Sequence, residues 1–179
     1  MSFDRQPVLE GPTLRMRPAV EADWGPLFAV AADPEIWAVH PAHNRWQEPV
    51  FRGYFDEGLA SGGQLVAELR DGGLIGGSRY STEFCEPGEI EIGWTFLARS
   101  HWGGPANREM KRLMIAHALT GFDSVIFRVG ETNGRSRRAM EKIGGVLLDR
   151  LHTTELSTGP VVHVVYAIDR AGFETGPLS

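Results

Sequence analysis

Two strand-like runs that each lead into a helix start, between residues 89 and 142, constrain the fold of this chain most strongly. The first run, residues 89–96, passes through a glycine-rich turn into a helix predicted to begin at Asn107. The second run, residues 124–129, leads into a helix predicted to begin at Asn133. Helix N-termini that follow glycine bind anions, because their free N–H groups and the helix dipole point outward. The stretch therefore predicts a site for a phosphate-bearing ligand.

Length and composition limit the classes to which the protein can belong. The 179 residues, of which 42% are hydrophobic, predict a single domain over residues 1–179 with a sizeable core. The net charge of −5 argues against a nucleic-acid-binding or membrane-surface protein, which would need a basic face. The only cysteine, Cys85, excludes an internal disulfide. We find neither a signal peptide nor a run of about 18 apolar residues, so a cytoplasmic location without a membrane partner is expected.

The order of the predicted elements favours an α+β fold with a mixed, mostly antiparallel sheet of about seven strands and helices on its faces. Three consecutive strands joined by turns are expected to form an antiparallel meander. A nearly continuous apolar run at residues 124–129 predicts a buried strand reached by a right-handed crossover. The last residues, 169–179, are expected to be frayed. The predicted strands are residues 14–17, 64–69, 74–84, 89–96, 124–129, 146–155 and 161–168.

The motifs of the central stretch are Glu91-Ile92-Gly93-Trp94, then Trp102-Gly103-Gly104 leading into Asn107-Arg108-Glu109, then the helix signature from Asn133 to Lys142. Together they resemble the GNAT acetyltransferase superfamily, most closely its branch of ribosomal-protein alanine N-acetyltransferases. The likeness covers nearly the whole chain, since residues 14–18 and 163–166 also fit. The helix signature is the most specific part of it.

The resemblance implies a three-layer GNAT-like fold in which strands 89–96 and 124–129 splay apart and leave a slot for CoA. It implies transfer of an acetyl group from acetyl-CoA to a primary amine by direct attack. The acceptor, a protein N-terminus or a small-molecule amine, stays open. Relatives are often dimers, so a homodimer is one expectation by analogy.

The resemblance also implies which residues contact CoA. The end of the first strand would hold the pantetheine through its backbone, the glycine-rich turn would hold the pyrophosphate, and the second helix start would close the slot. These residues are Phe96, Leu97, Ala98, Trp102, Gly103, Gly104, Ala106, Asn107, Arg108, Asn133, Arg135, Ser136 and Arg138.

The glycine-rich turn departs from the family pattern of Gln or Arg, two residues, Gly, any residue, then Gly or Ala. With Gly103 as the first glycine, Ser100 takes the basic position and Pro105 the last one. A shift by one residue gives His101 and Ala106 at these positions. Because Pro105 has no N–H to offer a phosphate, the sequence leaves open which amides bind the pyrophosphate.

Two carboxylates on the first strand are candidates for acid–base chemistry. Glu89 and Glu91 share one face of the strand, because side chains alternate. An amine nucleophile must lose a proton before it attacks, and a nearby carboxylate can accept that proton. We predict Glu91, which lies where the family's strand glutamate lies, as the general base. For Glu89 a solvated outer face of the sheet is the preferred interpretation.

The second helix start combines a predicted cap with predicted ligand contacts. Asn133 is a favoured N-cap residue, and it is also expected to contact the cofactor. We predict that the Ser136 hydroxyl protonates the leaving thiolate. Arg135, Arg137 and Arg138 lie at the positive end of the helix dipole, where an anionic ligand would stabilise them. A solvated basic face is the other interpretation of these arginines.

An aromatic segment before residue 60 is expected to cover the acceptor pocket. Trp37, Trp46 and Tyr54 are candidates to bind substrate there, although simple packing explains each of them as well. His40 and His43 have no third ligand at a sensible spacing, so no metal site is predicted.

Three alternatives stay open at this point. The chain could be a non-catalytic acyl-CoA-binding or sensor module, since Pro105 departs from the family pattern and the identity of the base is ambiguous. The acyl group could be longer than acetyl. The acceptor could also be a cationic small molecule, which would need an acidic pocket; the acids available for it are Glu35, Glu48, Asp56 and Glu57.

Overall fold

Eight strands form one sheet in the computed structural model, which describes residues 3–179. The spatial order is β1-β2-β3-β4-β5-β6-β8-β7. The strands are β1 (Leu9–Glu10), β2 (Leu14–Pro18), β3 (Gln64–Leu69), β4 (Leu74–Ser81), β5 (Glu89–Leu97), β6 (Ser124–Gly130), β7 (Val146–Leu156) and β8 (Gly159–Asp169). The helices are α1 (Trp24–Ala31), α2 (Pro34–Trp37), α3 (Glu48–Ser61), α4 (Pro105–Ala118), α5 (Gly134–Lys142) and α6 (Arg170–Thr175).

The strands β3, β4 and β5 form the predicted antiparallel meander, and β2 extends it on one side. Gly72 makes the tight turn between β3 and β4 with a φ of 89°, a left-handed value that glycine adopts without steric cost. The short strand β1, which the sequence did not predict, pairs with β2. The predicted α+β class with a mostly antiparallel sheet is confirmed.

The only parallel pairing in the described part of the sheet joins β5 to β6, and it is short. The partners run from Glu89 opposite Ser124 to Glu91 opposite Ile126, after which the two strands separate. Beyond that point β5 continues to Leu97 with no partner on this side, while β6 remains paired to β8. The predicted splayed strand pair is therefore present.

Helices pack on both faces of the sheet, which gives three layers. Apolar residues of α4 and α5, such as Met110, Met114 and Met140, join one core cluster. Residues of α1, α2 and α3, such as Leu27 and Phe51, join the second. The α4 side chains lie three and four residues apart, as expected for the buried face of an amphipathic helix.

Helix α4 begins at Pro105, two residues before the predicted start at Asn107. Proline suits the first helical position, because its fixed φ matches the helix and its missing N–H would have no intrahelical partner there. In the part of the chain that the structure describes, no helix is both long enough and apolar enough to cross a membrane.

The C-terminal residues 169–179 are ordered, and the expectation of a frayed tail is wrong. Asp169 caps α6 by accepting a hydrogen bond from the Gly172 backbone N–H at 2.7 Å. Beyond the helix, Leu178 is 1% exposed in the first core cluster. Burial of this leucine holds the tail against the domain, because apolar surface is removed from water.

Candidate active site

A cavity of about 400 Å³ lies where β5 and β6 separate. Its walls come from both splayed strands, from the two helix starts of α4 and α5, from the segment that includes α2, and from the β7–β8 hairpin. The charged and polar residues in its lining are His40, Arg45, Glu91, Thr95, Asn107, Lys111, Arg128, Asn133, Arg135, Ser136, Thr154 and His163.

A β-bulge bends β5 beside the cavity. Between the pairs Gly77–Phe96 and Arg79–Gly93, Ser78 of β4 faces two residues of β5, Trp94 and Thr95. Trp94 has a φ of 52°, a left-handed value that is rare for a bulky residue. Bulges are frequent beside active sites, where they redirect a strand and its side chains.

The glycine-rich turn and the first turn of α4 form one end of the cavity. Gly103 lines it with a φ of 69°, and a Cβ added there would contact nothing within 4 Å. Gly104 is the N-cap and Pro105 is the first helical residue, so the N–H groups of Ala106 and Asn107 have no intrahelical acceptor. This end can therefore accept an anion close to the backbone.

The second helix start lies against the first. Arg135 places its guanidinium 4.1 Å from the centre of the Trp102 ring and donates a hydrogen bond to the Ile36 carbonyl at 3.0 Å. The Trp102 indole in turn donates to the Leu97 carbonyl at 3.0 Å. Arg135 lines the cavity, and burial lowers its pKa. The two helix starts therefore contribute to a single cavity.

Asn133 forms the helix cap that the sequence predicts. Its side-chain oxygen accepts a hydrogen bond from the Ser136 backbone N–H at 3.1 Å, and the residue is 3% exposed. The Ser136 hydroxyl lines the cavity and has no hydrogen-bond partner among residues 3–179. It is therefore available to a ligand.

Glu91 is buried in an ion pair rather than solvated. It is 2% exposed, and Arg128 Nε donates to both of its carboxylate oxygens at 3.0 Å. Burial raises the pKa of Glu91 above its ordinary value of 4.5, although Arg128 opposes the shift. Glu89, by contrast, does not line the cavity. It is not on a solvated face as expected, because its side chain is 12% exposed and accepts two hydrogen bonds from Arg150 at 3.0 Å.

Sequence reasoning missed Arg128, although a signal was present. It is the only charged residue in the otherwise apolar strand β6. A lone charge in a buried strand needs a partner, because an unpaired buried charge is costly. The register of the parallel pair supplies that partner from β5.

Lys111 reaches the floor of the cavity from α4. It is 3% exposed, its Nζ donates to Thr95 Oγ1 at 3.0 Å, and the Phe127 ring lies 5.1 Å away. No carboxylate of residues 3–179 forms an ion pair with it. Burial lowers its pKa to about 7. The helix turns this lysine toward the cavity and away from solvent.

The wall opposite the sheet comes from the irregular segment after α2. Arg45 lies with its guanidinium 4.9 Å from the Tyr54 ring centre, and it makes no ion pair or side-chain hydrogen bond with any described residue. Burial lowers its pKa. His40 accepts a hydrogen bond at Nδ1 from the Ala42 N–H at 2.9 Å, and burial lowers its pKa to about 3, so it is neutral.

The three aromatic residues predicted to bind substrate do not line the cavity. Trp37 is 1% exposed and donates its indole hydrogen to the Ala31 carbonyl at 2.8 Å. Tyr54 is 5% exposed and donates to the Trp94 carbonyl at 2.7 Å. Trp46 lies exposed outside the lining. Packing in the second core cluster explains Trp37 and Tyr54, because large aromatic side chains bury much apolar surface.

Five residues predicted to contact CoA also lie outside the cavity lining: Ala98, Gly104, Ala106, Arg108 and Arg138. Ala106 packs into the first core cluster, Arg108 donates a hydrogen bond to the Pro177 carbonyl, and Arg138 is exposed. Among these five residues, only those at the start of α4 have backbone N–H groups that are free to bind a ligand.

The acids considered for a cationic acceptor are all exposed and do not line the cavity: Glu35, Glu48, Asp56 and Glu57. Over residues 3–179, no group of three or more His, Cys, Asp or Glu side chains is arranged to hold a metal ion.

The fold combines a mixed sheet, one splayed parallel strand pair, and a cavity between that pair and two helix starts. Residues 13–146 match the model of the acetyltransferase (GNAT) domain family. The chain therefore belongs to the GNAT acetyltransferase family, as its motifs indicated. No curated protein matches the chain in sequence.

Solved structures of this family share the fold. A putative acetyltransferase from T. thermophilus is 25% identical with a TM-score of 0.74, over 93% of this chain and 91% of that one. Mycobacterium smegmatis RimJ in complex with CoA-disulfide is 15% identical with a TM-score of 0.72, over 96% and 91%. Spermidine N-acetyltransferase from Vibrio cholerae, in complex with CoA and spermine, is 14% identical with a TM-score of 0.68, over 90% and 98%.

Proposed function

We propose that this protein transfers an acetyl group from acetyl-CoA to a primary amine. The observation that carries the proposal is the separation of β5 from β6 after only three paired residues, which opens a cavity between them. An extended ligand arm fits there, because the unpaired backbone of β5 offers hydrogen bonds as to an added strand. Two solved members of the family are CoA complexes, which supports this choice of donor.

The residues present fit the phosphates of CoA. Gly103 leaves space where a side chain would stand, and the amides of Ala106 and Asn107 are free at the positive end of α4. Arg135 adds a cation at the same end. Pro105 does not disturb the helix start, because the first helical position needs no intrahelical N–H donor. It offers the phosphate no N–H, so the contacts would come from Ala106 and Asn107. When bound, acetyl-CoA would supply the thioester.

Glu91 and Ser136 are the residues we assign to proton transfer. Glu91 lines the cavity, and its raised pKa makes it a stronger base than a solvated carboxylate. It would take the proton from the ammonium group of the acceptor. The amine nitrogen then forms the N–C bond, the C–S bond breaks, and the nitrogen loses its second proton to solvent, which leaves a neutral amide. The thiolate takes a proton from the Ser136 hydroxyl, which is resupplied from solvent. Free main-chain N–H groups beside the bulge would stabilise the oxyanion.

The acceptor is a protein N-terminus or a small-molecule amine. The names of the family members support an amine acceptor, since one is a spermidine N-acetyltransferase. We assign no metal to the reaction.

Release of free thiol from acetyl-CoA, measured across a panel of amines and N-terminal peptides, tests the proposed reaction. Turnover that falls in both Glu91→Gln and Ser136→Ala supports the assigned roles, and unchanged turnover in both variants contradicts them.

One observation favours a second function, an acyl-CoA-binding or sensor module. Arg128 occupies both carboxylate oxygens of Glu91, so the base is held by an ion pair. In that case the wild-type protein would bind acetyl-CoA and show no turnover with any amine of the panel.

A further inference from the structure

We propose that the cavity binds a ligand carboxylate between Arg45 and Arg128. The carboxylate would be carried either by the acceptor, as in a free amino acid, or by the acyl chain, as in a dicarboxylic acyl-CoA. The inference rests on the proposed acyl transfer.

The charge of the lining is the first argument. Four cationic residues line the cavity, and Glu91 is the only acid among the described residues that does so. Lys111, with a pKa of about 7, is only partly charged. His40 and His163 add no charge at neutral pH, because burial lowers the pKa of both. A cavity of this sign disfavours a polyamine and attracts an anion, although the whole chain carries a net charge of −5.

Arg45 is the second argument. Of the four cationic residues in the lining, Arg45 alone has neither an ion-pair partner nor a side-chain hydrogen bond among residues 3–179. Two aromatic rings, those of Tyr54 and Trp37, lie against its guanidinium, at 4.9 and 5.7 Å from the ring centres. The rings pack against the guanidinium of Arg45, and no described residue accepts a hydrogen bond from its N–H groups. The N–H edge of the guanidinium matches a carboxylate, which can accept two parallel hydrogen bonds from it.

Arg128 provides a second open edge. Glu91 accepts hydrogen bonds only from its Nε, and no described residue accepts one from either Nη. The centre of the Phe84 ring lies 4.2 Å from the guanidinium carbon of Arg128, so the ring covers one face of this guanidinium. Two further polar atoms of the lining, Thr154 Oγ1 and His163 Nδ1, are buried without a hydrogen-bond partner in the described residues. Buried polar atoms of this kind are normally satisfied, so a ligand or an ordered water is the expected partner.

The phosphates of CoA do not account for the open edge of Arg128. Glu91, the partner of Arg128, and Leu97, which leads to the glycine-rich turn, lie six residues apart on β5. This separation corresponds to at most roughly 20 Å, the length of an extended strand without the bulge. A phosphate at Gly103 is therefore too far along the cavity to bind the open edge of Arg128, and we assign that edge to a second anionic group.

The test uses matched pairs of substrates that differ in one carboxylate. In the acceptor arm, free amino acids are compared with their amides, with acetyl-CoA as donor. In the donor arm, succinyl-CoA is compared with butyryl-CoA, with one amine as acceptor. Each arm is measured with wild type, Arg45→Met and Arg112→Met. Arg112 is an exposed arginine of α4 outside the cavity, so it is the matched control.

We expect the acid member of at least one arm to be preferred by about tenfold or more in kcat/KM, as a bidentate charge-assisted contact would give. The arm that shows the preference identifies the source of the carboxylate. Arg45→Met should abolish the preference, and Arg112→Met should leave it intact. Equal use of acid and neutral members in both arms overturns the inference, as does an Arg45→Met variant that loses both members alike.

Calorimetry separates this inference from the proposed function. If no amine supports turnover, the affinities of succinyl-CoA and butyryl-CoA are compared, together with the affinities of the amino acids and their amides for the CoA complex. A preference for the acids that Arg45→Met removes supports the carboxylate site even without turnover. Tight CoA binding with no such preference overturns the carboxylate site alone, whereas absence of CoA binding overturns the proposed function.

Discussion

Glu91 occupies an unusual position for a base, because it is both buried and paired. Burial favours its neutral form, and the hydrogen bonds from Arg128 favour its charged form. The net effect is a raised pKa, which increases basicity while the arginine fixes the carboxylate beside the cavity. A carboxylate held in this way needs no reorganisation when an amine binds.

Replacement of Glu91 by glutamine should lower kcat by about 10²- to 10⁴-fold, the usual contribution of a general base. The affinity for acetyl-CoA, measured by calorimetry, should remain unchanged, since the amide keeps the shape of the side chain. Glu89→Gln is the matched control on the same strand, and it should retain activity because Glu89 lies outside the cavity. Equal losses in the two variants would contradict the role of Glu91.

Activity should depend on pH through the same carboxyl group. Glu91 must be ionised to accept a proton, and its pKa is raised, so kcat should fall on the acid side with a midpoint above 4.5. A pH profile of kcat between pH 4.5 and 8 measures this limb. A midpoint below 4.5 would show that another group controls the acid side.

Lys111 should make the stability of the protein depend on pH. Its pKa is about 7 in the folded protein and 10.5 ordinarily, so between these values the unfolded chain binds a proton that the folded protein lacks. Stability should therefore rise with pH across this window, by at most about 1.4 kcal/mol per pH unit. Urea unfolding at pH 7, 8 and 9 measures the slope.

The variant Lys111→Met should remove this slope and increase stability at pH 7, because no charge is then buried. Lys142→Met, at an exposed position, is the control and should keep the wild-type slope. A slope that persists in Lys111→Met would show that the lysine is not the group responsible.

At the scale of elements, the separation of β5 from β6 and the glycine-rich turn after β5 together produce the cavity. The alternation of apolar and charged residues predicted β5, and the apolar run predicted β6. The bulge at Trp94 was not predictable, because it arises from the register between β4 and β5. A local pattern does not specify which residue of a strand takes a positive φ.

Gly103→Ala tests the glycine-rich turn. The φ of 69° at this position strains any side chain by roughly 1–2 kcal/mol, and the new Cβ points into space that we assign to CoA. We expect weaker binding of acetyl-CoA by about tenfold, measured by calorimetry. Gly72→Ala, with a φ of 89° in the β3–β4 turn, carries similar strain away from the cavity. It should destabilise the protein and leave the affinity unchanged; a loss of affinity in both variants would refute the contact.

At the scale of the whole molecule, the parts of the cavity come from distant parts of the chain. The helix signature at Asn133 was visible in the sequence, because a cap and a family motif coincide there. The sequence did not show that Arg45, Arg128 and Lys111 line the cavity, because their positions depend on how the three layers pack together. The prediction that Trp37 and Tyr54 contact substrate also could not take this packing into account. Both side chains are buried in the second core cluster.

The ordered C-terminus contributes to stability far from the cavity. Leu178→Ala should cost about 2–5 kcal/mol in the free energy of unfolding, because the leucine is 1% exposed in the first core cluster. Leu151→Ala, at a position 63% exposed, should change it by less than about 0.5 kcal/mol. Chemical denaturation of both variants checks the difference, and equal stabilities would show that the tail does not pack in solution.

Titration of the purified protein with acetyl-CoA in a calorimeter tests the central claim, that the splayed strand pair and its glycine-led helix start hold CoA. The account predicts one molecule bound per chain, with a dissociation constant near the micromolar range, equivalent to about 8 kcal/mol of binding free energy. Free CoA should compete for the same site. Absence of binding at millimolar acetyl-CoA would contradict both the cavity assignment and the proposed acyl transfer.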